Sequence, residues 1–87
     1  MSKTNPEFEK AAKIVKSLPE RPDNETMLQL YAMYKQGSVG DVNGDKPGFF
    51  DFVGVAKFEA WEKLKGTAME EAQDRYISLV AKLSSAS

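Results

Sequence analysis

The sequence has no cysteine and no histidine among its 87 residues. Without cysteine there is neither a disulfide framework nor a thiolate zinc site, and without histidine the commonest metal ligand and general base is missing. This argues against most enzyme chemistry: a reacting centre would have to rely on Asp, Glu, Lys or Tyr alone, and nothing pairs those residues in a recognisable site. An excess of one charge is lacking too. Twelve Lys and Arg stand against thirteen Asp and Glu, a net charge of −1, so there is no global basic field for nucleic acid. No apolar run approaches the roughly 18 residues that span a bilayer, so no stable membrane insertion is expected. The opening MSKTNPEFEK has neither the apolar centre of a signal peptide nor a myristoylatable glycine, which makes the cytoplasm the expected location. A chain this short is one domain, residues 1–87, and buries only about 60–65% of its unfolded surface.

What is present is helical periodicity. Asn5-Pro6-Glu7 reads as an N-cap, a first-turn proline and a charge that suits the helix dipole, with residues 1–5 expected to fray. Phe8, Ala11, Ala12 and Val15 then recur at i, i+3, i+4 and i+7, with Lys16 on the flank of that face. The two alanines make the face shallow, and by position alone a core seam is the plainer reading than a ligand groove. Leu18-Pro19-Glu20-Arg21-Pro22 ends the helix as a rigid connection. Asp23 or Asn24 can cap a second helix, on which Met27, Leu30 and Tyr34 take one side and Leu28, Tyr31, Ala32 and Lys35 share a neighbouring sector. After Gln36 the run GSVGDVNGDKPG is expected to end the helix and form a long ordered loop.

A third helix should start near Asp51, carry Lys57, Ala60, Trp61 and Leu64 on one stripe, and stop at Gly66. Thr67 with Glu70 suggests a capping box for a fourth helix, whose stripe is Ala72, Tyr76, Leu79, Val80 and Leu83 ahead of a frayed tail at 84–87. Four helices and no convincing strand predict an all-α four-helix bundle, and a loop of about a dozen residues between helices two and three suits a crossover connection. One bundle and one ligand would use up the apolar stripes, which favours a monomer.

Two glycine-loop chemistries are tempting and fail. Asp41-Val42-Asn43-Gly44-Asp45 copies the start of a calcium-binding EF-hand loop, but its sixth position is Lys46 instead of Gly and its twelfth is Phe52 instead of Glu. A polar turn with side chains bonded to the backbone is the better reading. No GxxxxGK followed by Ser or Thr occurs, so a phosphate-binding P-loop is absent.

The runs YAMYKQGSVGD, KPG and AKFEAWEKLKG resemble the signature of the acyl-CoA-binding protein family, and Phe8, Ala11, Ala12, Leu18-Pro19 and Tyr76 stand where that family has matching residues. The resemblance covers nearly the whole chain. Phe58 replaces a usual Trp, and Val53 and Val55 replace residues that are often lysine. The resemblance implies an up-down-down-up bundle in which helices one, two and four pack together and the long loop lets two neighbours run parallel. It implies a non-enzymatic carrier that binds medium- to long-chain fatty acyl-CoA one to one, without cofactor or metal, and hands it to enzymes that use it. It further implies that Tyr31, Lys35, Lys57 and Tyr76 meet the 3′-phosphate and adenosine, that Lys16 lies near the diphosphate, and that Ala32, Met33 and Tyr34 form an adjacent binding segment. Phe8, Ala11, Ala12 and Leu28 would line the fatty chain.

Plainer readings stand beside these. Tyr31 and Lys35 can be an exposed ring under a lysine stem, and Trp61 and Phe58 read as core packing. From another class, the Leu28–Tyr31 face can hold a partner protein's helix.

Overall fold

The computed structural model describes residues 5–85, among which there are four helices and no strand: α1 (Pro6–Val15), α2 (Asn24–Ser38), α3 (Phe52–Glu62) and α4 (Met69–Ser85). Three of the helices start where the sequence chemistry places an acceptor. The side chains of Asn5, Asp23 and Asp51 accept from the backbone N–H of Phe8, Thr26 and Gly54 at 2.7, 2.8 and 2.9 Å. Each satisfies a donor that the first helical turn leaves orphaned.

Helix directions follow from which residues meet. Asn5 donates to Gln73 at 3.0 Å and Phe8 meets Tyr76, so α1 and α4 start together and run parallel. Gln73 also donates to the carbonyl of Gly37 at 2.8 Å, while Tyr76 meets Tyr34, so α2 runs against α4. Lys57 lies over Tyr31 and Lys35 over Trp61, which makes α2 and α3 parallel. The order is therefore up, down, down, up. Residues 39–51 carry the chain back across the molecule so that α3 can run beside α2 in the same direction.

The core sits where α4 packs along both α1 and α2, and α3 is laid against α2. At its centre Phe8 is fully buried, with its ring stacked on Tyr34 at 5.1 Å and edge-on to Tyr76 at 5.2 Å. Ala11, Leu30 and Val80 complete the cluster, with Met27, Met33, Leu79 and Leu83 among the residues packed against it. Such ring pairs contribute about 0.5–1.5 kcal/mol beyond the area that they bury.

Several local expectations are corrected. α1 ends at Val15, before Leu18-Pro19, because Lys16 to Leu18 already close 3₁₀-type bonds back to Lys13, Ile14 and Val15. α2 does not stop at Gln36. Gly37 remains helical and buried, and a Cβ there would lie 3.0 Å from Gln73 and 3.1 Å from Phe8, so its missing side chain permits the close approach of α2 and α4. The regular part of α3 ends at Glu62, leaving Leu64 on a tight turn that closes at Gly66, whose φ of 93° is the left-handed stop expected.

The capping box at Thr67 is replaced: α4 opens one residue later, with the carbonyl of Ala68 accepting from Ala72 and that of Thr67 taken by Gln36. Asn5 holds the α1 cap expected of it and is not part of a frayed end, and Ser84 and Ser85 belong to α4; residues 1–4 and 86–87 lie outside the described residues. The apolar side chains are not used up either. Phe49, Phe50, Phe52 and Val53 stay in solvent because they lie on the loop and the first turn of a helix that only Trp61 anchors in the interior.

Candidate functional site

The long loop is fixed by polar contacts that begin inside the bundle. Gln36 is fully buried, and its amide donates to the carboxylate of Asp41 and to the carbonyl of Thr67, both at 2.8 Å. The same Asp41 oxygen accepts the N–H of Gly66 at 2.8 Å. These bonds, that from Gly66 first and that from Gln36 second, hold the Asp41 carboxyl below its usual pKa. Asp41 therefore ties the loop to the end of α3, a longer-range role than the local polar turn expected. Trp61 adds a second tie through its indole N–H, which donates to the carbonyl of Gly40 at 2.8 Å. Among the described residues no cluster of His, Cys, Asp or Glu is arranged to hold a metal ion.

With the loop so placed, α2 and α3 flank an open cavity of about 810 Å³. α2 lends it Asn24, Met27, Leu28, Leu30, Tyr31 and Tyr34, and α3 lends Phe52, Val53, Ala56 and Lys57. The end of α1 and the connection beyond it supply Ala12, Val15, Lys16 and Arg21, while Tyr76 reaches in from α4. The wall is mostly apolar, yet three cations stand on it. None of Lys16, Arg21 and Lys57 forms an ion pair among the described residues. Lys57 instead lies 5.2 Å from the centre of the Tyr31 ring. Burial, and after it the neighbouring Tyr34 and Glu9, raise the Tyr76 phenol above its ordinary pKa, so near neutral pH its hydroxyl keeps the proton and can donate.

Of the residues expected at a head group, the structure brings Lys16, Tyr31, Lys57 and Tyr76 to this wall and leaves Lys35 off it, with its ammonium 5.0 Å from the centre of the Trp61 ring. Of the adjacent segment only Tyr34 lines the cavity; Ala32 is buried in packing and Met33 rests on the core. Ala12 and Leu28 line it, whereas Phe8 and Ala11 lie in the core, behind the tyrosines. The i, i+3, i+4 spacing puts Phe8 and Ala11 on the same stripe as Ala12, and it cannot tell which edge of that stripe meets α4. Sequence reasoning overlooked Arg21, Asn24, Met27, Ala56 and Phe52 at the wall. For Arg21 a signal was available: it sits between Pro19 and Pro22, which fix the path of the connection.

A four-helix, up-down-down-up bundle with a mostly apolar open cavity between its parallel helices defines a class of small binding domain. The comparisons agree with that class. Residues 5–80 match the family model described as acyl-CoA-binding protein. The chain is 50% identical over 76 residues to acyl-CoA-binding protein homolog 1 of Caenorhabditis elegans, spanning 87% of this chain and 88% of that one. It is 49% identical to the acyl-CoA-binding protein of Saccharomyces cerevisiae over 87% of each. The crystal structure of Oryza sativa acyl-CoA-binding protein 2 superposes with a TM-score of 0.86 at 42% identity, covering 93% of both chains. The chain belongs to the acyl-CoA-binding protein family.

Proposed function

We propose that the cavity takes a medium- to long-chain fatty acyl-CoA ester, one per chain, and that the protein is a carrier without a covalent step of its own. The observation that carries this reading is an apolar cavity with Lys16, Arg21 and Lys57 on its wall, none of them ion-paired among the described residues. An amphiphile with a polyanionic head and a long tail satisfies both halves of that wall. Phosphate oxygens accept charge-assisted bonds from the ammonium and guanidinium groups and from the tyrosine hydroxyls, while adenine lies against an aromatic face. The head group falls to Lys16, Tyr31, Lys57 and Tyr76, with Arg21 beside them and Lys35 moving in from Trp61 on binding. Leu28, Met27, Ala12 and Ala56 receive methylenes, each contributing up to ~0.8 kcal/mol when buried.

The family membership supports the same reading, and its relatives carry acyl-CoA binding in their names. A cytoplasmic monomer that passes its ligand to acyl-CoA-using enzymes is the setting in which such a carrier works. The alternative occupant, a partner helix, gains nothing from a wall that mixes cations with tyrosines. Titration calorimetry of the delipidated protein with palmitoyl-CoA, free CoA and palmitate tests the proposal. Tight one-to-one binding of the ester, with far weaker binding of the two halves, is the expected result; equal affinity for CoA and its ester would remove the tail from the site.

A further inference from the structure

Four apolar side chains on one short stretch remain in solvent: Phe49 is 81% exposed, Phe50 83%, Phe52 73% and Val53 65%. Single exposed apolar residues are ordinary, but a contiguous aromatic group marks a surface that contacts something. Phe49 and Phe50 meet edge to face with ring centroids 5.0 Å apart, so they form one apolar knob. The backbone beneath them is braced. Asp51 N–H donates to the carbonyl of Gly48 at 2.9 Å, the Asp51 carboxylate caps α3, and Lys46 pairs with Glu59 at 2.7 Å.

Phe52 and Val53 belong both to this stretch and to the cavity wall, so the exposed apolar residues adjoin the cavity. We propose that residues 49–53 are a docking edge for a lipid bilayer, on which the protein settles with its cavity mouth against the membrane. Choosing a bilayer over a protein partner rests on the acyl-CoA reading, because a cavity for an amphiphile gains an apolar exit only when its open edge meets lipid. Charge points the same way. Lys16, Arg21 and Lys57 lie on the adjoining wall without ion-pair partners among the described residues, while Glu59 is paired with Lys46, which leaves Asp45 and Asp51 as the carboxylates of the stretch that face three such cations without a cation of their own. Exposed rings beside cations suit the boundary between head groups and acyl chains, and anionic head groups most of all. Docking of this kind is superficial, in keeping with the absence, among the described residues, of any helix long and apolar enough to cross a membrane.

Flotation of the ligand-free protein with vesicles of phosphatidylcholine, with and without phosphatidylserine as the minority lipid, tests this beside the double variant Phe49→Ser/Phe50→Ser. Both substituted rings lie off the cavity wall and outside the core, so the variant should melt with the wild type and keep its calorimetric affinity for palmitoyl-CoA. The wild type is expected to float, more completely with phosphatidylserine, and the variant's vesicle partition coefficient to fall at least about tenfold. Equal flotation of variant and wild type would overturn the proposal. So would a wild type that stays with the soluble fraction on both vesicles, including one that runs as a dimer abolished by the same substitutions. Loss of palmitoyl-CoA binding in the wild type, with flotation intact, would count against the carrier reading and leave the docking edge standing.

Discussion

Phe8 and Phe50 are the same residue type in opposite circumstances. Phe8 is fully buried where α1, α2 and α4 converge, and Phe50 is 83% exposed on the loop that leads to α3. The contrast extends to whole helices. α4 buries Ala72, Gln73, Tyr76 and Val80 along its length, whereas α3 buries Trp61 alone although it is rich in apolar residues. Hydrophobicity is therefore used twice in this chain, once to hold the bundle together and once, on α3 and its approach, to line a cavity and face the outside. Regions with few buried contacts have low local stability, which is where binding surfaces are commonly found.

If the two regions are separable, the largest effect on folding comes from the first. Phe8→Ala removes the ring that joins α1 to Tyr34 and Tyr76, and should cost about 3–5 kcal/mol of stability in denaturant unfolding. An effect below about 1 kcal/mol would mean that the core is not where the rings converge. A smaller effect, on binding instead of folding, is expected from Lys57→Ala. Loss of one charge-assisted contact should weaken palmitoyl-CoA by about 1.5–3 kcal/mol, roughly tenfold to a hundredfold, with the melting temperature unchanged. Parallel losses of affinity and stability would erase the distinction.

The smallest effect joins the regions. Asp41, which fastens the loop to the end of α3, has its pKa lowered by its hydrogen bonds to Gly66 and Gln36. A carboxyl held below its unfolded value contributes fully above the ordinary carboxylate range near pH 4, and that contribution fades as pH falls through the lowered folded value. Asp41→Asn keeps an acceptor oxygen and removes the titration, so the variant's stability should depend less steeply on pH below about 4 than the wild type's. Acid titrations of unfolding that superimpose would show that Asp41 carries no linked stability.

Much of the fold was legible because the chemistry concerned is local. Asn5, Asp23 and Asp51 precede apolar periodicity and cap the helices they introduce, and Gly66 supplies the left-handed stop. Thr67 misled, since the same local pattern is overridden when the Thr67 carbonyl is drawn into the bond from buried Gln36. Gly37 misled for a related reason: a glycine inside a helix reads as a terminator until α4 is seen pressing against it.

The candidate site was legible where residues share a helix face, as Leu28 and Tyr31 do, and less so where they lie on irregular chain. Arg21 reaches the wall from a connection with no period to read, and Lys35 leaves it for a ring 26 positions further along the chain, a partner no helical spacing reveals. The exposed Phe49 and Phe50 lie on irregular chain ahead of α3, where no period tells which residues face solvent.

Hydrogen exchange of the free protein and of its palmitoyl-CoA complex, compared helix by helix, tests the division most directly. In the free protein the amides of α4 and of α2 facing it should exchange most slowly and those of α3 fastest among the helices. Ligand should then slow exchange mainly in α3 and the adjoining face of α2. Equal protection of α3 and α4 before ligand, or a ligand effect confined to α1 and α4, would contradict a molecule built of a stable three-helix core and a binding helix laid against it.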